Sequence, residues 1–210
     1  TEEYKKSRIE CDSKNVGIVF PLYFQSMPKV VMDFIEKLDI KKFEYIFAVV
    51  TRGGKAYQGG ALHHMNKLLK VRNSRLSAGF YVRMPDNYIP LLKVPTKKEQ
   101  VKMLNEASNK MKTISSLIKS RHVGIESEFS SFLRPLMHNR FIRNLHNRYK
   151  GFNVKDSCNS CGLCEKICKF NNINLEDRKP NWGSNCQFCL ACINYCPSVS
   201  IEYNNSTIGK

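Results

Sequence analysis

At 210 residues the chain can bury the core of one large domain or two modest ones. Its 42% hydrophobic and 25% charged residues are ordinary for a globular protein, and no apolar run nears the roughly 20 residues of a membrane-spanning helix. The formal charge of +16, with thiols counted neutral, favours an acidic partner, either an acidic redox protein or a nucleic acid.

The opening residues lack the basic-then-apolar layout of a secretion signal. A cysteine-rich chain of this kind is expected in the cytoplasm, whose reducing interior keeps thiolate sites intact. Val16 to Phe20 is a short apolar run ended by Pro21 and reads as a buried strand. Met27 to Leu38 follows at helical spacing, with Pro28 near its start, where a missing N–H costs nothing. Tyr45 to Val50 reads as a second buried strand running into the loop Thr51-Arg52-Gly53-Gly54. Gly60 to Lys70 fits a helix with Leu62, Met65, Leu68 and Leu69 on its apolar side, and Arg75 to Met84 a third strand ended by Pro85. Thr96 to Ser120 is expected to be a long polar helix, capped by Thr96 with Glu99 and carrying Val101, Leu104, Met111, Ile114 and Ile118 as its core stripe. Strand and helix in alternation predict an α/β fold with a parallel sheet and right-handed crossovers.

The alternation stops near Arg121. Residues 122–151 are basic and aromatic, and they read as a connecting arm between a first domain (1–121) and a last one (152–210). Interleaved Arg and aromatic residues also suit nucleic acid, but a packed, solvated linker is the favoured reading. His63, His64, His122, His138 and His146 form no metal-ligand spacing and are assigned no chemistry.

Eight of the nine cysteines fall in two groups of four: Cys158, Cys161, Cys164 and Cys168, then Cys186, Cys189, Cys192 and Cys196. Disulfide scaffolds rarely space three cysteines at strict intervals of three, and nothing suggests export. Zinc sites pair two C-x₂-C knuckles and do not need a third cysteine at equal spacing. Both groups instead follow the C-x₂-C-x₂-C-x₃-C run of bacterial two-cluster ferredoxins, with Pro197 trailing the second and Lys169 standing where the first would have proline. The run has a physical logic: three thiolates on a turning loop reach three corners of one cubane, while the fourth points away. The resemblance implies two [4Fe–4S] clusters, one held by Cys158, Cys161, Cys164 and Cys196, the other by Cys186, Cys189, Cys192 and Cys168. Two oxidised clusters would leave a charge of roughly +12. Ile173, Leu175, Trp182, Val199, Ile201 and Tyr203 read as short covering strands, and Cys11 is excluded as a ligand.

The first half extends the resemblance. "VGIVFPLYFQSMP", "FAVVTRGGKAYQGGAL" and "VRMPDNY" are similar to the third-strand region, the fourth strand with its glycine loop, and a later part of a flavodoxin-like domain. Joined to the cysteine runs, the chain resembles iron–sulfur flavoproteins of anaerobes that fuse a flavodoxin-like domain to a two-cluster ferredoxin. That resemblance implies FMN at the carboxyl ends of the strands. Its candidate contacts are Tyr23, Phe24, Ser26, Thr51, Arg52, Gly53, Gly54 and Tyr57, with Tyr23, Phe24 or Tyr57 stacking on the ring and Gly53 and Gly54 offering backbone N–H groups.

One part of that pattern is missing. The Thr/Ser/Gly/Asn-rich phosphate loop belongs after an earlier strand, and 1–15 do not contain it, so the flavodoxin-like sheet is expected to be incomplete at its N-terminal side. A fragment, a partner-supplied strand or a lost flavin would each account for this, and the fragment is favoured. An exposed edge on Val16 to Tyr23 would invite self-association. The favoured function is single-electron transfer through two clusters to or from FMN. The rivals are a flavin-dependent reductase of a small molecule and a nucleic-acid-binding iron–sulfur protein, so enzymatic activity is left open.

Overall fold

A computed structural model describes residues 6–54, 60–127 and 134–209. They form two compact units. One comprises the residues up to Pro85 with Pro95–Asn139, and the other Asp86–Val94 with Arg140 onward.

The first unit is built on a parallel sheet in the order β1-β2-β3-β4, from Asn15–Pro21, Tyr45–Arg52, Ala78–Arg83 and Gly124–Ile125. The crossovers are helices α1 (Lys29–Lys37), α2 (Ala61–Val71) and α3 (Lys97–Lys119), which makes the unit α/β. On one face Ile18, Phe20, Ile46, Ala48 and Val50 pack against Ile35 of α1 and Leu62, Met65 and Leu69 of α2. Pro28 sits at the N-cap of α1, as its missing N–H allows. The opposite face carries Tyr45, Ala78, Phe80 and Val82 against Ala107 and Ile114 of α3.

Helix α3 begins on the expected capping box. The Thr96 N–H donates to Glu99 Oε2 at 2.8 Å, and the Glu99 N–H donates to Thr96 Oγ1 at 3.4 Å. Its core stripe differs from expectation. Val101, Leu104 and Met111 are exposed, and the buried residues are Met103, Ala107 and Ile114, with Ile118 half-buried beside them. A largely polar helix has more than one apolar line, and the one that fits the sheet places the small Ala107 where the backbones approach.

Among the described residues β1 is an edge strand, with Val19 67% exposed on the face away from α1 and α2. The Phe47 ring folds over Gly17, where an added Cβ would stand 2.2 Å from the ring. β4 pairs for only two residues, after which the Glu126 carboxylate takes over, accepting the Tyr81 N–H at 2.9 Å and pairing with Lys110 at 2.8 Å.

The second unit is small and two-fold in plan. β5 (Phe152–Val154) pairs antiparallel with β8 (Ile201–Tyr203), and β6 (Ile173–Glu176) with β7 (Lys179–Trp182). The β6–β7 hairpin turns on Asp177 and Arg178, both at positive φ, as a two-residue turn between right-twisted strands requires. Helix α4 (Arg134–Arg143) leads into a 3₁₀ stretch, Leu145–Gly151, then β5. Short helices α5 (Leu163–Ile167) and α6 (Ala191–Asn194) lie within the two cysteine runs. Val199 stands outside any strand, 56% exposed at φ 47°, and so does not cover the site as expected. Six aromatic rings join buried Leu145, Ile173, Leu190 and Ile201 in its core. Phe152 stacks on Trp182 (centroids 5.2 Å apart, planes 9°), and Phe188 meets Tyr203 at 4.7 Å, with Tyr88, Phe141 and Phe152 around it.

Candidate metal centre

The two cysteine runs fold alike, residue for residue. Ser160 and Gly162 flank Cys161 in the left-handed region, and Phe188 and Leu190 flank Cys189 in the same way. Such paired reversals wind a short loop into a cup whose thiols converge. Leu163–Ile167 and Ala191–Asn194 then turn the chain away from each cup. Asn171 and Val199, each three residues after the last cysteine of its run, are again left-handed. That reversal aims the next N–H back at the sulfur: Asn172 N donates to Cys168 Sγ, and Ser200 N to Cys196 Sγ, both at 3.4 Å.

This winding places Cys158, Cys161 and Cys164 around one cavity together with Cys196 from the other run. The second cavity takes Cys186, Cys189 and Cys192 with Cys168 from the first run, and Cys164 borders it as well. Each run therefore lends its last cysteine to the opposite cup. The middle cysteines, Cys161 and Cys189, are exposed, and Cys192 is buried.

The two cups differ electrostatically. Burial pushes the Cys192 thiol up to about 12 and Cys186 to about 11, and it raises Cys164 as well. Burial also acts on Cys196, but N–H and hydroxyl donors from Ser200 and Ser198 outweigh it and hold that thiol below the usual range. The Ser198 hydroxyl stands 3.6 Å from Cys196 Sγ and is fixed by the fully buried Ser200, whose hydroxyl lies 2.8 Å from that of Ser157. In the second cup, the Phe188 N–H donates to Cys186 Sγ at 3.4 Å.

The donor set suits an iron–sulfur group, with four thiols about the first cavity, five about the second, and N–H groups aimed at the sulfurs. A zinc ion wants four ligands at about 2.0–2.3 Å from one centre. Among the described residues, no three or more His, Cys, Asp or Glu side chains are placed to hold a single ion.

In the sequence, Trp182 reads only as a cover for the site. Its ring lines the second cavity together with Cys192, its N–H is buried short of bonding geometry, and it offsets part of the rise that burial gives the Cys192 thiol. The single tryptophan directly before a cysteine run was the available signal.

The loops assigned to a flavin lie at the carboxyl ends of β1 and β2. Tyr23 and Ser26 close a tight turn by exchanging N–H···O bonds of 2.9 Å, with Phe24 (φ 43°) and Gln25 (φ 64°) at its tip. Leu22 N donates to the Thr51 carbonyl at 2.7 Å and Gly60 N to that of Gln25 at 2.8 Å, so the two loops are joined. Ser26 is buried, its hydroxyl 2.7 Å from His64 Nδ1. Arg52 donates to the Gly54 carbonyl at 2.9 Å and Arg83 to that of Gly53 at 3.3 Å. A Cβ on Gly54 would meet nothing within 4 Å. Tyr57 lies outside the described residues.

Comparison with known proteins gives one informative likeness. Over 61 residues the chain is 44% identical to an uncharacterized polyferredoxin-like protein of Methanocaldococcus jannaschii, covering 27% of each chain. The likeness supports an iron–sulfur, ferredoxin-like region. The chain thus spans about a quarter of that relative's length. No family model matches the chain, and no solved structure matches it. Among the described residues no helix is long and apolar enough to cross a membrane.

Proposed function

We propose that the ferredoxin-like region holds two [4Fe–4S] clusters and that the protein is a single-electron carrier. The observation that carries this is the exchange of Cys168 and Cys196 between two similar cups: four thiols line the first cavity, and the second is lined by its own quartet with Cys164 at its border. When bound, the clusters supply one-electron acceptors of low potential. The chain's own residues do the rest. Backbone N–H groups of Asn172, Phe188 and Ser200 donate to the sulfurs of Cys168, Cys186 and Cys196, and the buried aromatic rings exclude water from the second cup. Exposed Cys161 and Cys189 bring each quartet to the surface, where an electron can enter or leave. The strongly basic chain would dock an acidic redox protein.

FMN enters this proposal at its ring end. The joined loops carrying Tyr23, Phe24, Ser26, Thr51, Arg52, Gly53 and Gly54 lie at the carboxyl ends of parallel strands, the position a flavodoxin-like sheet gives its ligand. The half-buried Phe24, held at positive φ, is a strained residue of the kind found at ligand sites. The described residues offer no Ser/Thr-rich phosphate loop, and no phosphate contact is assigned.

Anaerobic purification followed by iron, sulfide and flavin analysis tests both parts. About eight irons and eight sulfides per chain are expected. Zinc in their place overturns the carrier reading, and eight irons without flavin removes FMN alone. Turnover of a small molecule without a protein acceptor would make the protein a reductase. Retention of nucleic acid at low salt, lost as salt rises, would favour the nucleic-acid reading.

A further inference from the structure

The two cups match in their cysteines and left-handed turns, and they differ in a few polar side chains: Ser198 beside Cys196 is matched by Phe170, and Trp182 by Val154. Trp182 ends β7 just before the second run, and the matching residue before the first run is Val154, which ends β5. Trp182 is 7% exposed and its ring lines the second cavity, whereas Val154 does not line the first. The flat stack on Phe152 fixes the plane of the indole, in which its N–H lies. That N–H has no hydrogen-bond partner in bonding geometry among the protein atoms, and an unpaired buried donor is costly. Tryptophan is usually buried only where its N–H finds an acceptor. A sulfur-rich group in the second cavity would supply one.

We propose that the Trp182 indole N–H donates a hydrogen bond to the sulfurs of the second centre, at Cys192 or on the bound cluster, and raises the reduction potential of that centre alone. The proposal rests on the reading of the quartets as cluster ligands. Reduction adds one negative charge to the cluster, and a donor aimed at its sulfurs favours the more negative state. Burial acts the other way, since dry surroundings disfavour added charge. The second quartet contains the buried Cys192, so without the indole its burial would leave the second centre harder to reduce. Trp182 offsets that penalty and acts as a tuning residue, not a ligand. The Ser198 and Ser200 donors belong to Cys196, in the first quartet.

The experiment uses the full-length protein, purified anaerobically with its metal and first assayed for iron and sulfide. A chain without clusters ends the carrier reading itself, separately from this proposal. With about eight irons present, a mediator titration with dithionite is followed by electron paramagnetic resonance in the wild type and in Trp182→Phe. The expected result is a downward shift of one of the two potentials with the other unchanged. Equal potentials in both proteins, or a common shift of both centres, would overturn the proposal. A wild-type measurement covers the case in which Trp182→Phe does not assemble. With ¹⁵N-indole tryptophan, spin-echo modulation of the reduced protein should show a nitrogen coupling to one cluster signal, and absence of that coupling would sink the idea.

Discussion

The guanidinium carbon of Arg148 lies 4.9 Å from the centroid of the Phe188 ring, and Phe188 holds the left-handed position between Cys186 and Cys189. The same guanidinium lies 4.5 Å from Phe141. A cation held against aromatic faces contributes about 0.5–2 kcal/mol, depending on how dry it is. Phe188, 3% exposed and ringed by Tyr88, Phe141, Phe152 and Tyr203, is the hub of the unit's core.

Phe188→Ala is therefore expected to destabilise the cysteine-bearing unit by about 3–5 kcal/mol, the usual cost of removing a buried phenylalanine. The loop it anchors carries Cys186 and Cys189, so iron should fall from about eight toward about four per chain. Arg148→Met keeps the length of the side chain and should cost no more than about 2 kcal/mol. Chemical denaturation and iron analysis of the same preparations check both values.

The exchange of cysteines between runs has its own signature in paired substitutions. If Cys158 and Cys196 serve one centre, Cys158→Ala with Cys196→Ala leaves the other intact, at about four irons. Cys158→Ala with Cys168→Ala, both within the first run, should damage both centres and bring iron toward zero. Iron counts that follow the runs, with the second pair sparing four irons, would show that each run serves its own centre.

Much of the α/β unit was legible because its strands are short apolar runs and helix starts carry caps. Val16 to Phe20, read as buried, is nevertheless buried on one face only, with Val19 exposed on the other. Val16 to Phe20, Tyr45 to Val50 and Thr96 with Glu99 are plain in the sequence. The stripe of α3 was not. Periodicity weighed Val101, Leu104 and Met111 by hydrophobicity, while packing selected Met103 and the small Ala107. At the candidate site, spacing named eight cysteines but not what surrounds them. Phe24, Gln25, Phe188 and Leu190 take positive φ without glycine's signature, so nothing local announces those turns. The donors from Ser198, Ser200 and Trp182 depend on tertiary placement, which no spacing rule encodes.

Glu202 gives the unit a pH dependence. Its carboxylate is 5% exposed and accepts from the Thr207 hydroxyl and, at 3.1 Å, from Lys155. Burial pushes this carboxyl up, but Thr207 and Lys155 outweigh it and hold it below the usual range. A folded value below the unfolded one stabilises fully above the unfolded value, about 4.3, and loses that contribution as pH falls through the lower folded value. Glu202→Gln should therefore be less stable than wild type at pH 7, with the gap closing below about pH 4. Comparing the two proteins at each pH cancels acid loss of metal common to both. Lys155→Ala leaves the carboxylate one donor short and should cost about 2 kcal/mol at pH 7.

The edge strand makes a prediction about association. Pro21 ends β1 and can donate nothing, but along Val16 to Phe20 the outer backbone groups lie on the open side of the sheet, among the described residues. Val19 adds an apolar side chain that is 67% exposed, and Phe47 and Val49 continue the same face on β2, half-buried. An unpaired apolar edge templates pairing with another strand, and an inserted lysine is the usual block. Val19→Lys removes no buried contact, so the thermal midpoint should stay within the change expected of a surface substitution, about ±0.5 kcal/mol. Concentration-dependent association, measured by sedimentation velocity, should fall in the same variant. A wild type that sediments as a monomer at every concentration would mean that this edge does not pair between copies. Association unchanged by Val19→Lys would place the contact elsewhere on the chain.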